Sequence, residues 1–319
     1  TNWVPVDALH SRDRERIPRV VELLNDIGCN MIRCWGGNVY EDDLLYELCD
    51  ASGILVWQDF SMACAVYPQS QEFARKLAAK AAAVVRRLRQ HPCVALWAGD
   101  NECDLAYSWR GAASDPNANV LTRSVLPEAI GSNDTDRPYL PSSPYVDGEA
   151  YKKGIHYLPE NHLWGPRDYF KSRFYTASPC HFASEIGYHG CPSPDSIRRF
   201  ISQDKLWPWP GNDEWLLHAT APRLEDDCPY NYRIELMAKQ VQELFGMIPD
   251  NLEDFALASQ ISQAEAFKFF IELFRSNKWR KTGIIWWNLM DGWPQFSDAV
   301  VDYYFAKKLA YHYIKRSQQ

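Results

Sequence analysis

The residues best equipped for chemistry stand at the ends of short apolar runs. In residues 91–103, HPCVALWAGDNEC, the run Val94-Ala95-Leu96-Trp97 gives way to small and polar residues that end in Asn101-Glu102. An apolar run this short, entered through a His-Pro break, predicts a strand buried on both faces. Its end projects a carboxamide and a carboxylate from the C-terminal mouth of a parallel sheet. An isolated Asn-Glu pair more often caps the next helix, so the reading rests on what accompanies it. A second run, residues 181–186 (HFASEI), ends in Glu185. Further runs end in Trp35, Asp59, Ser142-Ser143, His162 with Trp164, and Trp287 with Asn288 and Asp291.

Two carboxylates among tryptophans, with no Ser/His/Asp set and no phosphate loop, point to glycoside hydrolysis. That reaction needs one carboxylic acid to protonate the leaving oxygen and a second, ionised carboxylate to meet the oxocarbenium-like carbon. In a retaining mechanism the two carboxyl groups stand about 5–5.5 Å apart. One of the two is then expected to hold its proton, its affinity raised by burial beside a like charge, while hydrogen bonds keep the other ionised. Asn101 is placed to bond the sugar 2-hydroxyl. Tryptophan faces of this kind suit packing against a sugar ring. Asp59 suits a sugar contact or the fixing of a loop or an arginine. Tyr188, three residues past Glu185, either bonds within the site or packs. Trp57, Trp97 and Trp286 fall inside strand patterns and read as core.

The elements that position these residues alternate regularly in the first half. Strand-like runs at residues 2–6, 30–35, 54–57 and 94–97 are separated by helical patterns at 11–27, 41–52 and 71–90. Gly28 and Gly53 stop the first two helices. Alternation of this kind predicts βαβ units and a parallel sheet. The second half is looser. It offers strand candidates at residues 137–145, 161–164, 181–186 and 283–289, and helices at 120–130, 232–245, 252–277 and 303–316. Residues 203–229, rich in Trp, Pro and Asp, read as a long loop. Eight strand candidates give the arithmetic of an α/β fold, a (β/α)8 TIM barrel, in which strands four and seven face each other across the mouth. A doubly wound sheet is the runner-up, but no Gly-rich fingerprint follows the first strand.

Composition narrows the partners. Among 319 residues, 34 basic and 41 acidic side chains give a net charge of −7, and no long basic run suggests nucleic acid. No apolar stretch is long enough for a transmembrane helix. The nine cysteines show no CxxC pair and no zinc-ligand spacing, so no metal or other cofactor is expected. Scattered thiols of this kind favour a reducing compartment, and a cytoplasmic location is slightly preferred over a periplasmic or secreted one, which stays open. Thirteen tryptophans exceed the needs of a core and suit carbohydrate as the partner.

Six ordered segments carry a resemblance to a known family: CWGG (34–37) with YED (40–42), VWQDF (56–60), LWAGDNE (96–102), RPYLPSSP (137–144), FASEIGY (182–188) and WWNLMDGWP (286–294). Together they resemble the catalytic domain of glycoside hydrolase family 2, most closely its β-mannosidase branch, along essentially the whole chain. The resemblance implies a retaining exo-β-glycosidase with Glu102 as acid/base and Glu185 as nucleophile. It implies that Trp35, Asn101, His162, Trp164 and Trp287 line the terminal-sugar subsite. It also implies a single catalytic barrel over residues 1–319, part of a longer chain with β-sandwich domains ahead of it. Three positions depart from the mannosidase pattern: Asp100 in place of an asparagine, Asn38 in the glycine run and Ile186 in place of phenylalanine. A galactosidase, glucuronidase or glucosaminidase type, or a carbohydrate-binding barrel without turnover, are the alternatives.

Overall fold

Eight short parallel strands, with helices packed outside them, form a (β/α)8 barrel. The computed structural model describes residues 1–109, 114–165, 167, 169–220 and 233–319. The strands are β1 (Asn2–Trp3), β2 (Met31–Cys34), β3 (Leu55–Asp59), β4 (Val94–Ala98), β5 (Tyr139–Leu140), β6 (Glu160–His162), β7 (Phe182–Glu185) and β8 (Gly283–Ile284). They lie in two arcs, ordered β1-β2-β3-β4-β5 and β6-β7-β8. The β8–β1 seam is joined by the Asn2 backbone N–H donating to the Trp286 carbonyl at 2.8 Å. The Asn2 side-chain amide adds bonds to the Ser184 and Ile285 carbonyls. Across the β5–β6 seam the link runs through side chains, from Ser143 to Glu160 and His162.

Several strands end sooner than their apolar runs. Pro5 has no N–H to give a ladder, and β1 stops at Trp3. Beyond the strand ends, isolated parallel bridges continue the pairing, between Asn101 and Ser143 and between Gly187 and Trp287. These bridges hold the polar termini in register around the mouth.

The first-half helices follow the sequence pattern closely. In α1 (Asp13–Ile27) the expected face of Ile17, Val20, Val21, Leu24 and Ile27 is buried, and Gly28 caps the helix at φ 85°. Each such side chain contributes about 1.5–3 kcal/mol by leaving water. In α2 (Asp43–Ser52) Asp42 accepts from the Leu44 N–H, and Gly53 ends the helix at φ 67°. A positive φ at these stops suits glycine, which has no Cβ to clash. α3 (Gln71–Leu88) begins where Ser70 accepts from the Phe73 N–H.

The second half departs more. The stretch expected as one helix at 120–130 is a π-helical segment, Leu121–Val125, continued by the α-helix Leu126–Gly131. The last helix begins late, at Leu309. Asp302 accepts from the Tyr304 and Ala306 N–H groups, a local turn that competes with helix. The expected loop at 203–229 carries a turn, Gln203–Lys205, and a helix, Asp213–Leu217. Its positions 221–229 lie outside the described residues. Trp215 of this segment stacks on Phe296 at 4.2 Å in a satellite apolar cluster.

Inside the barrel, Trp57, Ala98 and Ile285 pack with Met31, Leu96, Leu140 and Phe182. Trp97 and Trp286 are buried in the main core. The lower barrel is thus apolar, and the layer above it is polar.

Candidate active site

Arg33 is the centre of that polar layer. Alternation along β2 turns Met31 and Arg33 into the barrel and Ile32 and Cys34 out toward the helices. The Arg33 guanidinium is fully buried. It donates to Glu185 Oε1 at 2.7 Å, Asp59 Oδ2 at 2.7 Å, Asn101 Oδ1 at 2.8 Å and Asn2 Oδ1 at 3.3 Å. One side chain therefore ties together the ends of β1, β2, β3, β4 and β7. Such a buried cation persists only when paired, and the carboxylates of Asp59 and Glu185 hold it charged against the cost of burial.

Glu185 ends β7. Arg33 holds its first oxygen, and the Trp164 indole N–H donates to its second at 2.6 Å. Glu102 follows β4 and adopts φ 56°, a left-handed conformation that costs a non-glycine residue free energy and often marks a functional position. Its Oε1 lies 2.6 Å from His162 Nδ1, and the Cys64 thiol donates to its Oε2 at 3.5 Å. His162 Nδ1 also lies 3.5 Å from Glu185 Oε2. Glu102, His162 and Glu185 each offer an oxygen or nitrogen within 4.8 Å of the others. The two carboxylates therefore face each other across one imidazole.

Burial alone pushes the Glu102 carboxyl up, but the hydrogen bond and charge of His162 outweigh it and hold the group below its ordinary range. Burial likewise disfavours charge on His162, yet Glu185 and Glu102 together raise it above the usual histidine value. These directions run against the raised carboxyl that an acid/base role of Glu102 implies: the imidazole 2.6 Å away favours its ionised form by more than burial disfavours it.

The aromatic residues form a wall. Trp287 meets Trp35 edge-on with ring centroids 5.3 Å apart and Trp164 at 6.2 Å. All three rings are half-buried. Trp287 also lines a cavity of about 230 Å³ together with Val4, Asp7, Thr220, Trp293 and Gln295. Gly187 permits this packing, because a Cβ there would come within 2.8 Å of the Trp164 ring and 2.9 Å of the Trp287 carbonyl.

Two expected site residues lie elsewhere. Tyr188 is buried behind the wall, edge-on to Phe170 at 5.9 Å and Phe270 at 6.3 Å. Its position after a strand ending in Glu185 turns it to the outer, core-facing side. Asp59 lies beneath the site, and Arg33, Trp57 Nε1 and the Gly36 N–H occupy its oxygens. Of its two suggested roles, the geometry is that of fixing an arginine and a loop. Asn101 stands at the mouth, its oxygen taken by Arg33 and its amide 3.4 Å from Cys64 Sγ.

Arg33, Cys64 and Glu160 were not singled out by motif. An arginine inside the apolar run NMIRCW was a usable signal, because a charge in a buried strand demands partners. Cys64 carried no such signal, whereas Ser143 stood at an expected strand end within RPYLPSSP. Among the described residues, Glu102, His162 and Glu185 are the group with metal-ligand spacing. The N–H donors of Arg33 and Trp164 already point at the Glu185 oxygens, which suits an anion held in place better than a cation's ligand.

No family model matches the chain. Its sequence is 29% identical to β-mannosidase B of Aspergillus terreus over 98% of this chain. It is 25% identical to the β-mannosidase of Capra hircus over 99%. In each case it spans 38% of the relative's length. The solved β-D-mannosidase of Dictyoglomus thermophilum superposes with a TM-score of 0.86 and 31% identity, over all of this chain and 38% of that one. The chain is a relative of the β-mannosidases of glycoside hydrolase family 2. An exo-chitosanase of Amycolatopsis orientalis, at 18% identity and a TM-score of 0.77, shares the fold.

Against the family 2 pattern, the departure at Asp100 has a physical counterpart. Its carboxyl is fully buried, and burial together with nearby Asp104 pushes it up to about 8. Oδ1 accepts from Ser142 Oγ at 2.6 Å and the Cys103 N–H at 3.0 Å. A carboxyl raised in this way favours its uncharged acid form near neutral pH, the nearest acidic equivalent of the asparagine in the mannosidase pattern.

Proposed function

We propose that this chain carries the catalytic barrel of a retaining exo-β-glycosidase acting on β-mannosides. The observation that carries the reading is the pair of carboxylates, Glu102 and Glu185, with oxygens within 4.8 Å of each other. That spacing suits direct attack by one carboxylate, whereas inversion needs a gap of about 6.5–9.5 Å for an intervening water. In this reading Glu185, oriented by Arg33 and Trp164, is the nucleophile. Glu102 is the acid that releases the aglycone and then the base that activates water. Asn101, Trp35, His162, Trp164 and Trp287 bound the sugar. The mannoside preference follows the relatives, which are β-mannosidases. Because those relatives are longer, we further propose that the barrel works beside additional β-sandwich domains of the same chain.

The test is hydrolysis of a chromogenic β-mannoside by the full-length protein, with the anomeric configuration of the first-formed sugar followed by NMR. Retention of β-mannose and near-complete loss of turnover in Glu185→Ala support the assignment. An inverted product, or unchanged turnover in that variant, contradicts it. Turnover only on a galactoside, glucuronide or glucosaminide replaces the sugar but keeps the mechanism.

A further inference from the structure

Behind His162 a chain of hydrogen bonds leads away from the candidate catalytic pair. His162 Nε2 lies 3.1 Å from Ser143 Oγ, and Ser143 Oγ lies 2.8 Å from Glu160 Oε1. Ser184 Oγ bonds the same Glu160 oxygen, while Glu160 Oε2 is buried with no hydrogen-bond partner among the described residues. Ser143 and Ser184 are themselves fully buried. A carboxylate in this setting accepts and cannot donate. The Ser143 hydroxyl therefore gives its hydrogen to Glu160, which leaves only lone pairs for the imidazole. His162 Nε2 must then donate to Ser143. Its other nitrogen, Nδ1, faces Glu102 Oε1 at 2.6 Å, and an ionised carboxylate there also accepts. With Glu160 and Glu102 both ionised, both ring nitrogens are donors and His162 is an imidazolium.

We propose that Glu160 and Ser143 are positioning residues that keep His162 doubly protonated, so that His162 stores the proton Glu102 delivers to the leaving group. The inference rests on the reading of Glu102 as acid/base. The charged groups facing His162 are Glu102 beyond β4, Glu185 on β7 and, through Ser143, Glu160 on its own strand. Arg33 on β2 opposes them, with its own charge shared among Glu185, Asp59 and Asn101. When substrate dries the site, the N–H bond at Nδ1 breaks and an O–H bond forms on Glu102. That proton moves to the glycosidic oxygen as its bond to C1 breaks with the electron pair, while Glu185 bonds to C1. In the second half, attacking water gives its proton to Glu102, from which His162 is reprotonated, and the Glu185–C1 bond breaks. No other reactant is needed.

The experiment is the pH dependence of kcat/KM for the full-length protein and its Glu160→Gln, Glu160→Asp and Ser143→Ala variants. Two substrates are compared, a methyl β-mannoside and a 2,4-dinitrophenyl β-mannoside. With the methyl glycoside, Glu160→Gln and Ser143→Ala should move the alkaline limb about one unit lower, a loss of about tenfold at fixed pH on that limb. Glu160→Asp, which keeps the charge, should restore the limb. The dinitrophenyl substrate, whose departure needs no acid, should respond far less. Equal losses on both substrates with the limb in place would overturn the proposal and leave a packing role. Glu102→Gln separates this from failure of the parent reading. If that variant spares the dinitrophenyl substrate, Glu102 is the acid, and an unmoved limb in Glu160→Gln then defeats the relay alone.

Discussion

Removing the charge of Arg33 leaves Asp59 and Glu185 in a buried layer with no cation between them. Breaking a buried ion pair from one side typically costs about 3–5 kcal/mol. Arg33→Met should therefore lower Tm sharply, and any folded fraction should lose turnover because Glu185 loses its 2.7 Å anchor. Arg33→Met combined with Asp59→Asn should recover stability but not activity, since the Asp59 charge is then relieved while Glu185 still lacks its guanidinium anchor. A double variant no more stable than the single one would contradict this account of the layer. Asp100 makes a pH-dependent prediction. Its folded carboxyl binds a proton more tightly than an unfolded aspartate, whose ordinary value is about 4. The resulting stabilisation is complete below about pH 4 and is lost as pH rises through about 8. Asp100→Asn should therefore flatten the decline of Tm with pH, and its advantage over the parent should widen between pH 4 and pH 8. Asp59 and Asp291, both raised to about 6 by burial, keep the remaining slope. Parallel Tm–pH curves for the two proteins would show that Asp100 carries no titrating proton.

At the scale of elements, the seam between β7 and β8 controls the aromatic wall. Gly187→Ala places a methyl group against the Trp164 ring and the Trp287 backbone. Overpacking of this kind costs about 1–3 kcal/mol, and because both indoles must shift, KM should rise along with the fall in Tm. A normal KM would mean that the wall yields without moving its sugar-facing sides. Elements also show what could be read without coordinates. The helices through α3 were legible because each combined an apolar face with a glycine or serine cap. Glu102 and Glu185 were legible because a strand end next to a polar pair is where a barrel presents its groups. Tyr188 had two roles open, and it packs; sequence proximity to Glu185 does not say on which side of the barrel wall a side chain falls once the strand has ended. The Glu160–Ser143–His162 line was invisible because its members come from β6 and from the loop after β5, and no spacing rule links them. The strands expected at 137–145 and 161–164 border the seam that, among the described residues, is linked through side chains.

At the scale of the molecule, the barrel is two hydrogen-bonded arcs brought together around one guanidinium. Arg33 and Glu185 belong to different arcs, 152 positions apart. Local helices such as α1 and α3 depend on neighbours close in sequence, whereas this contact exists only when the chain has closed. Contacts of such long range are the ones whose loop-closure cost is met last. Catalytic competence should therefore be a reporter of complete closure rather than of overall structure. In rising urea, turnover by the full-length protein should disappear at a lower concentration than far-UV ellipticity. Superimposable curves would show that the arcs part and melt together. If the curves separate, the interval between them measures a state in which most helices persist but the mouth has lost its catalytic geometry, and a mannoside-mimicking inhibitor should narrow it by holding Arg33 and Glu185 together.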